Sequence, residues 1–300
     1  MSSSVVDTSI VAFLNWARPG TQSFDEFWAW ANSKADPRVQ SWPLLDNIAP
    51  TLYITAAYLV FVILSPLFKN FYRPFQLKTL MILYNALVIG INVYMLQGFV
   101  LEAYRNRYMP ICNPIDLSPK GTMTAWYIYV YYLSKVVDFM DTVIIVLRQK
   151  FDQLSFLHVY HHSAMFFIWW IGSKWGNGGD AIFGPMCNSF IHIVMYTYYL
   201  GSALKINIPG KKYLTMMQMA QFFIVVTHSA LIIILDCPFP HVFEYAQVIF
   251  LCTLFALFLN FYVKAYHGTK RRVRDAPHSA SGASGASPQS GRRRAAPKEE

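Results

Sequence analysis

The sequence has 300 residues, of which 55% are hydrophobic and only 14% are charged. A soluble domain carries about 25% charged residues, so this composition excludes a pair of soluble domains and predicts an all-α polytopic membrane protein. The net charge of +9 requires no nucleic-acid partner, because lysine and arginine in short loops orient a membrane protein and meet anionic lipid. We therefore expect membrane lipid as a partner and no nucleic acid.

The N-terminal segment, residues 1–47, has a mixed composition and precedes the first long apolar run. Asp25, Glu26, Trp28 and Trp30 lie in a stretch that predicts a surface helix. Tryptophan is frequent at the membrane–water interface, so we expect the two tryptophans to anchor this segment there.

Seven apolar segments, each near the ~20 residues that a bilayer requires, follow one another along the chain. They cover about residues 48–67, 79–100, 122–147, 156–175, 182–204, 214–235 and 242–266. They predict a transmembrane domain of about seven helices over residues 48–267. Beyond it, residues 268–300 are rich in serine, alanine, glycine and proline with basic clusters, which predicts a disordered basic tail.

The distribution of positive charge predicts the orientation. The loops on the side of the C-terminal tail hold Lys69, Arg73, Lys78, Arg148, Lys150, Lys205, Lys211 and Lys212. The loops on the opposite side hold Arg105, Arg107 and Lys120. Positively charged loops face the cytosol, so we expect a cytosolic C-terminus and an N-terminus on the outer or lumenal side.

Three histidines open the fourth predicted span. In a helix His158, His161 and His162 stand at i, i+3 and i+4, which places them on one face within about 100° of arc. Ionisable side chains at membrane depth are costly and mark functional sites by default. We therefore predict that this cluster is catalytic.

Polar residues of the neighbouring spans fall at a similar depth in the cytosolic half. The candidates for substrate binding are Lys135, Asp138 and Asp141 in span three, Asn188 and Tyr196 in span five, and Gln218 and Gln221 in span six; His192 of span five is a further catalytic candidate. They predict one polar chamber, open to the cytosol and enclosed by the helices. Simpler interpretations stay open, because Lys135 and Asp138 can neutralise each other, and glutamines often join helices in membranes.

Imidazole can act as a base, a nucleophile or a metal ligand. Membrane di-iron desaturases and hydroxylases need some eight or more histidines, whereas this chain has eight in all and only four of them well placed. We therefore favour imidazole acting on an acyl group without a metal, and keep the di-iron enzyme as an alternative. A seven-helix transporter or receptor is a second alternative, although Lys264 lies too near the cytosolic end of span seven for a retinal-binding lysine.

Four motifs, in order on successive spans, resemble the fatty acid elongases of the endoplasmic reticulum, the very-long-chain 3-oxoacyl-CoA synthases. The motifs are Lys135-Val-Val-Asp-Phe-Met-Asp-Thr142, His158-Val-Tyr-His-His162, Asn188 through His192-Ile-Val-Met-Tyr-Thr-Tyr-Tyr199, and Thr215-Met-Met-Gln-Met-Ala-Gln221. The likeness spans about residues 45–267. One position departs from the family pattern, since Asp138 stands where the family usually has glutamate.

The resemblance implies the condensing step of chain elongation, in which acyl-CoA and malonyl-CoA give 3-oxoacyl-CoA, CO₂ and CoA without a cofactor or metal. It implies His161 as the nucleophile, with His192 as base or oxyanion partner and Lys135, Gln218 and Gln221 holding polar groups of the thioester and CoA. It also implies residence in the endoplasmic reticulum membrane, self-association as a homodimer, and partnership with the reductases and dehydratase of the elongation cycle.

Among elongases, the likeness is greatest to the polyunsaturated fatty acid elongases of algae and protists. It rests on His158-Val-Tyr-His-His162 and Asn188-Ser-Phe-Ile-His192, together with Trp169, Trp170 and Gly178-Gly-Asp180 between them.

Two cysteines lie in loops on the side opposite the basic loops. If that side is the lumen of the endoplasmic reticulum it is oxidising, so Cys112 and Cys237 are candidates for a disulfide, with two unpaired thiols as the alternative. Cys187 and Cys252 lie within spans and are expected to stay reduced.

Overall fold

The structure, a computed structural model, describes residues 23–267, and within that range it contains helices, turns and loops but no β-strand. The prediction of a disordered tail over 268–300, and the first part of the predicted N-terminal segment, lie outside the described residues. The α-helices of this part of the chain are the short α1 (Phe24–Ser33) and the long α2 (Ala49–Leu64), α3 (Lys78–Arg105), α4 (Thr122–Leu147), α5 (Phe156–Trp175), α6 (Phe183–Ala203), α7 (Lys211–Ile234) and α8 (His241–Tyr262).

The helices α2 to α8 coincide with the seven predicted spans. The bounds of α4 and α5 are the predicted ones, whereas α3 continues five residues beyond the predicted end at Val100. Its last turn is closed by an ion pair, in which Arg105 Nη1 lies 3.0 Å from Oε1 of the buried Glu102. This i, i+3 pair satisfies a carboxyl group that the sequence pattern assigned to a loop.

Four helical segments are long and apolar enough to cross a membrane, which makes the chain a multi-pass membrane protein. They are Ala49–Phe68, Lys78–Arg105, Lys211–Ile234 and His241–Tyr266. The helices α4, α5 and α6 have 26, 20 and 21 residues and so are long enough too. They carry the lysine, aspartates and histidines of the predicted site, with Lys135 and both aspartates in α4, the three clustered histidines in α5 and His192 in α6.

Six helices pack in an order that closes on itself. Following the contacts, α3 packs on α4, α4 on α5, α5 on α8, α8 on α7, α7 on α6, and α6 on α3 again. The helix α2 lies outside this ring, packed on α5 and hydrogen-bonded to α4 through Thr51–Tyr132 at 2.7 Å and Tyr58–Thr142 at 3.0 Å. The expectation of seven enclosing helices is therefore corrected to six, because α2 buries only Thr51 and Tyr58 and presents an apolar surface elsewhere.

The segment before α2 is held against the end of α5. The ammonium group of the buried Lys174 donates to the backbone carbonyls of Leu45 at 3.1 Å and Asp46 at 3.3 Å. Trp28 of α1 stacks on Trp170 of α5 with ring centroids 6.2 Å apart. Trp28 thus packs against the protein, in addition to any contact with the membrane interface.

The loops at this end of the bundle are joined by polar contacts. Arg38 forms an ion pair with Asp36 at 2.7 Å and donates to the carbonyl of Asp116 at 2.8 Å. The loop after α3 is tied to the turn before α6, because Asn113 Nδ2 donates to Asp180 Oδ1 at 2.7 Å.

A disulfide joins Cys112 to Cys237, with Cα atoms 4.8 Å apart. This separation lies within the usual range of about 4.4–6.8 Å. The bond connects the loop after α3 with the loop after α7, beside the buried side chains of Ile232 and Phe239.

We predict that two thiols per chain react with an alkylating reagent in denatured, unreduced protein. The sequence has four cysteines, and Cys187 and Cys252 are free in the structure. Mass spectrometry of the labelled protein measures the number, and the same protein labelled after reduction serves as the control, with four expected. Four labels before reduction would contradict the bond.

Candidate active site

The three histidines of α5 are positioned by the start of that helix. Ser155 caps α5 and accepts a hydrogen bond from the backbone N–H of His158 at 3.2 Å. The imidazole rings follow in one cluster, with centroids 4.3 Å apart for His158 and His162 and 5.3 Å apart for His161 and His162. The structure therefore brings the predicted catalytic histidines together on one helix face.

The hydroxyl group of Thr142 holds the first of these histidines and is itself bonded to a tyrosine hydroxyl. His158 Nε2 lies 2.8 Å from Thr142 Oγ1, and that hydroxyl lies 3.0 Å from Tyr58 Oη. The row of polar groups thus runs from α2 through α4 to α5. Thr142 belongs to the motif that begins at Lys135, but nothing in the sequence distinguishes Tyr58 from the 18 other tyrosines.

The predicted lysine and aspartate of α4 form a buried ion pair. Lys135 Nζ lies 2.8 Å from Asp138 Oδ2, and both residues are only 3% exposed. The same ammonium group lies 4.3 Å from the ring centroid of Tyr131, whose hydroxyl donates to Asn188 Oδ1 at 2.7 Å. The two side chains therefore neutralise each other's charge. Through the contact of Lys135 with Tyr131, the pair also orients the Asn188 amide of α6.

Other candidates bind protein groups, although Tyr196 also packs on the ring of His192 with centroids 5.7 Å apart. The hydroxyl of Tyr196 donates to Oδ2 of Asp141, which links α6 to α4. Gln218 Nε2 of α7 donates to the sulfur of Met195 on α6 at 3.4 Å. This contact matches the simpler interpretation of Gln218 as a polar link between helices.

His192 of α6 faces the histidines of α5 and has a free nitrogen. It lies within electrostatic range of His161, Lys135 and Asp138. The residue is only 6% exposed, and its Nδ1 has no hydrogen-bond partner among residues 23–267. A buried ring nitrogen without a partner is costly, so this atom is suited to bind a group that enters the site.

A cavity lined by residues of the helices α4 to α8 extends from His161 toward the disulfide-linked loops. Its near end, the end at His161, is also lined by the polar side chains of Asn188, Gln221 and Tyr131. Its walls are apolar and include Met165, Ile168, Trp169, Phe222, Phe250 and Leu254. Instead of one polar chamber, the structure therefore shows a mainly apolar cavity that ends at an imidazole. Such a cavity can hold a hydrocarbon chain with its reactive carbonyl beside His161.

The remaining predicted site residues are not among those that line this cavity. The described lining does not include His158, His162, His192, Lys135, Asp138, Asp141, Tyr196 or Gln218. Their contacts are the ring, ion-pair and hydrogen-bond contacts described above.

The far end of the cavity carries polar residues that were not predicted from the sequence. Glu244 and Gln247 of α8 both line it. The sequence does contain a signal for Glu244, because it is the one acidic residue between His241 and Tyr262. An acidic residue within an apolar span indicates a functional site.

Comparisons of the chain with a family model and with individual proteins agree with each other. Residues 43–274 match the family model ELO, described as the GNS1/SUR4 family. The chain is 38% identical over 273 residues to very long chain fatty acid elongase 4 of Homo sapiens, covering 89% of this chain and 87% of that protein. It is 38% identical over 251 residues to elongase 2 of Rattus norvegicus (82% and 90% covered) and 36% identical over 239 residues to elongase 5 of Xenopus laevis (77% and 80% covered). The matched region contains the helices α2 to α8 and every candidate site residue.

Proposed function

Because the chain belongs to the fatty acid elongase family, we propose that it catalyses the condensing step of fatty acid elongation as a very-long-chain 3-oxoacyl-CoA synthase. Its substrates are a long-chain, polyunsaturated acyl-CoA and malonyl-CoA. The observation that carries the proposal is the position of His161, which lines one polar end of a mainly apolar cavity. The acyl chain occupies the apolar part, and its thioester carbonyl lies beside the imidazole.

In the first half of the proposed reaction, His161 acts as a nucleophile. A nitrogen lone pair of the neutral imidazole attacks the thioester carbonyl, and the carbon–sulfur bond breaks. The CoA thiolate leaves and takes a proton from solvent. The acyl group remains on His161 as an acyl-imidazolium whose other ring N–H stays in place.

In the second half, malonyl-CoA supplies the carbon nucleophile. Its carboxylate leaves as CO₂, and the electron pair of the broken carbon–carbon bond forms an enolate on the thioester. The enolate carbon attacks the acyl carbon and displaces neutral imidazole, which releases 3-oxoacyl-CoA. Hydrogen-bond donors near His161 stabilise the oxyanions that form in both halves.

The supporting residues divide into two groups in this proposal. Asn188 and Gln221 line the cavity beside His161, so they contact the thioester. His192 offers its unpartnered Nδ1 to the same region. Lys135 and Asp138 act indirectly, since their ion pair positions Tyr131 and through it Asn188.

We further propose that all seven long helices cross the endoplasmic reticulum membrane, with the N-terminus in the lumen and the C-terminus in the cytosol. The disulfide supports this orientation, because Cys112 and Cys237 lie on the side opposite the basic loops and need an oxidising compartment. Association as a homodimer and with the other enzymes of the elongation cycle belongs to the same proposal.

The test is incubation of the purified protein with acyl-CoA and malonyl-CoA labelled in its free carboxyl group. Release of labelled CO₂ together with 3-oxoacyl-CoA is expected, and neither product should form when one substrate is omitted. Folded protein that releases neither product would contradict the proposed function.

Metal removal separates this proposal from a di-iron desaturase or hydroxylase. No group of three histidine, cysteine, aspartate or glutamate side chains in the described part of the chain is arranged to hold a metal ion. We expect a strong chelator to leave the condensation rate unchanged, and no stoichiometric iron or zinc to co-purify. Activity that is lost on chelation and restored by iron would favour the metal enzyme.

The departure from the family pattern at position 138 gives a further prediction. Asp138→Glu keeps the charge that pairs with Lys135 but adds one methylene to a site that is only 3% exposed. Such overpacking typically costs about 1–3 kcal/mol, so we expect the variant to fold, to stay active and at most to change its preference among acyl chains. Rates with several acyl-CoA lengths measure this, and a folded but inactive variant would show that the shorter side chain has a geometric role.

A further inference from the structure

The far end of the cavity contains a carboxyl group with one unpaired oxygen atom. Glu244 of α8 is only 3% exposed and lines the cavity. Its Oε2 has no hydrogen-bond partner among residues 23–267. A buried carboxyl oxygen without a hydrogen bond is destabilising, and at membrane depth such groups are rarely present without a function.

Two polar side chains accompany this carboxyl group. Gln247, nearly one turn further along α8, also lines the cavity, and its Nε2 donates to the hydroxyl of the fully buried Ser229 at 2.8 Å. The Ser229 hydroxyl interacts with Glu244 as well. Gln247 Oε1 faces Gly184, where it lies 3.4 Å from the place of a Cβ atom, so a larger residue on α6 would crowd this space. The far end is thus a built polar site with an oxygen atom left unpaired.

The distance from His161 to this site corresponds to the extended length of a long acyl chain. Gly172 and Gly176 line the cavity on the α5 side. Gly176 faces the ring of Phe243, the residue that precedes Glu244 in α8. The two glycines lie 11 and 15 residues beyond His161, or about 16–22 Å at 1.5 Å per residue. An extended hydrocarbon chain advances about 1.25 Å per carbon, given a carbon–carbon bond of about 1.5 Å at the tetrahedral angle. A chain of about 13–18 carbons therefore reaches from His161 to Glu244.

We propose that this end of the cavity is a hydrogen-bonding subsite for a hydroxyl group at the terminus of the acyl chain, so that ω-hydroxyacyl-CoA is a further substrate class. The inference rests on the proposed function, because it assumes that the acyl carbonyl lies at His161. A hydroxyl can donate and accept, so it satisfies Glu244 whether that carboxyl group is ionised or protonated. A methyl terminus satisfies it in neither state, and a terminal carboxylate is repelled by it when it is ionised.

The experiment compares ω-hydroxyacyl-CoA with unsubstituted acyl-CoA of equal length in the purified wild type. At about 16–18 carbons we expect kcat/KM for the hydroxylated chain to be at least about tenfold higher, the effect of one hydrogen bond to a charged group. At about 8 carbons the chain ends near Ile168, in the apolar part, so the hydroxyl should lower kcat/KM. A ratio that never favours the hydroxylated chain at any length overturns the subsite.

Two substitutions at Glu244 and one control complete the test. Glu244→Leu is expected to abolish the preference for the hydroxylated long chain, and the gentler Glu244→Gln, which keeps an acceptor, to retain part of it. Glu102→Gln alters a carboxyl group of equal burial that is paired with Arg105 and does not line the cavity, so it should leave the ratio at the wild-type value. An unchanged ratio in Glu244→Leu would overturn the assignment.

Failure of the proposed function gives a different result. If neither chain is condensed, the elongase proposal falls, while competition between the two acyl-CoA esters for binding to the purified protein still tests the subsite. If both chains are condensed and bound equally at every length, the elongase proposal stands and the subsite does not.

Discussion

Replacing His161 by alanine is expected to reduce condensation by at least about a thousandfold, because removal of an enzyme's nucleophile leaves only residual binding and oxyanion stabilisation. His161 is the cluster histidine that lines the described cavity, at the point where the apolar walls end. Initial rates of CO₂ release from labelled malonyl-CoA measure the loss. Expression should stay near normal, since the change enlarges an existing cavity instead of opening one in a packed core.

The nucleophile leaves a direct chemical trace. Wild-type protein mixed with acyl-CoA alone should carry the acyl group on His161, detectable by mass spectrometry after proteolysis, and the alanine variant should carry none. His158→Ala is the matched comparison, because His158 bonds to Thr142 and lies outside the described cavity lining. It is expected to lower the rate but to keep the adduct on His161. An acyl adduct on a cysteine would contradict the mechanism.

The second large effect concerns stability. Lys135→Met removes one partner of a buried ion pair and leaves the Asp138 carboxyl group without its cation. Breaking such a pair typically costs about 3–5 kcal/mol. At about 2–4 °C per kcal/mol, the apparent unfolding temperature in detergent should fall by roughly 10 °C.

The double variant Lys135→Met/Asp138→Leu is the control for this prediction. Replacing both charges with apolar groups removes the unpaired carboxylate, so we expect it to regain most of the lost stability. Its activity should stay low, because Tyr131 and Asn188 lose the contact that orients them. A double variant as unstable as the single one would show that Lys135 stabilises the fold through Tyr131 more than through Asp138.

The long helices could be predicted because apolar runs of bilayer length are a local property of the sequence. The cluster of His158, His161 and His162 could be predicted for the same reason, since their spacing alone places them on one helix face. The position of α2 outside the ring and the contact of α3 with α6 could not. These are contacts between distant segments, and span order and loop length do not determine which helices become neighbours.

The site was predicted less completely than the helices. The sequence indicates the depth of each polar residue, but not whether its side chain faces the cavity, another helix or lipid. Gln218 and Gln221 show the difference, because Gln218 donates to Met195 whereas Gln221 lines the cavity. Glu244 was missed because the predicted polar layer lay at the opposite end of the bundle.

The packing of α2 outside the ring has a consequence for biosynthesis. This helix is made first of the long helices, yet its partners Tyr132 and Thr142 lie on α4 and its packing surface on α5. About 60–90 residues separate the end of α2 from the starts of those helices, or several seconds of translation at about 5–20 residues per second. During that interval α2 stays in the bilayer without the groups that later bind Thr51 and Tyr58. Its final position is therefore reached by lateral docking onto helices that leave the ribosome after it.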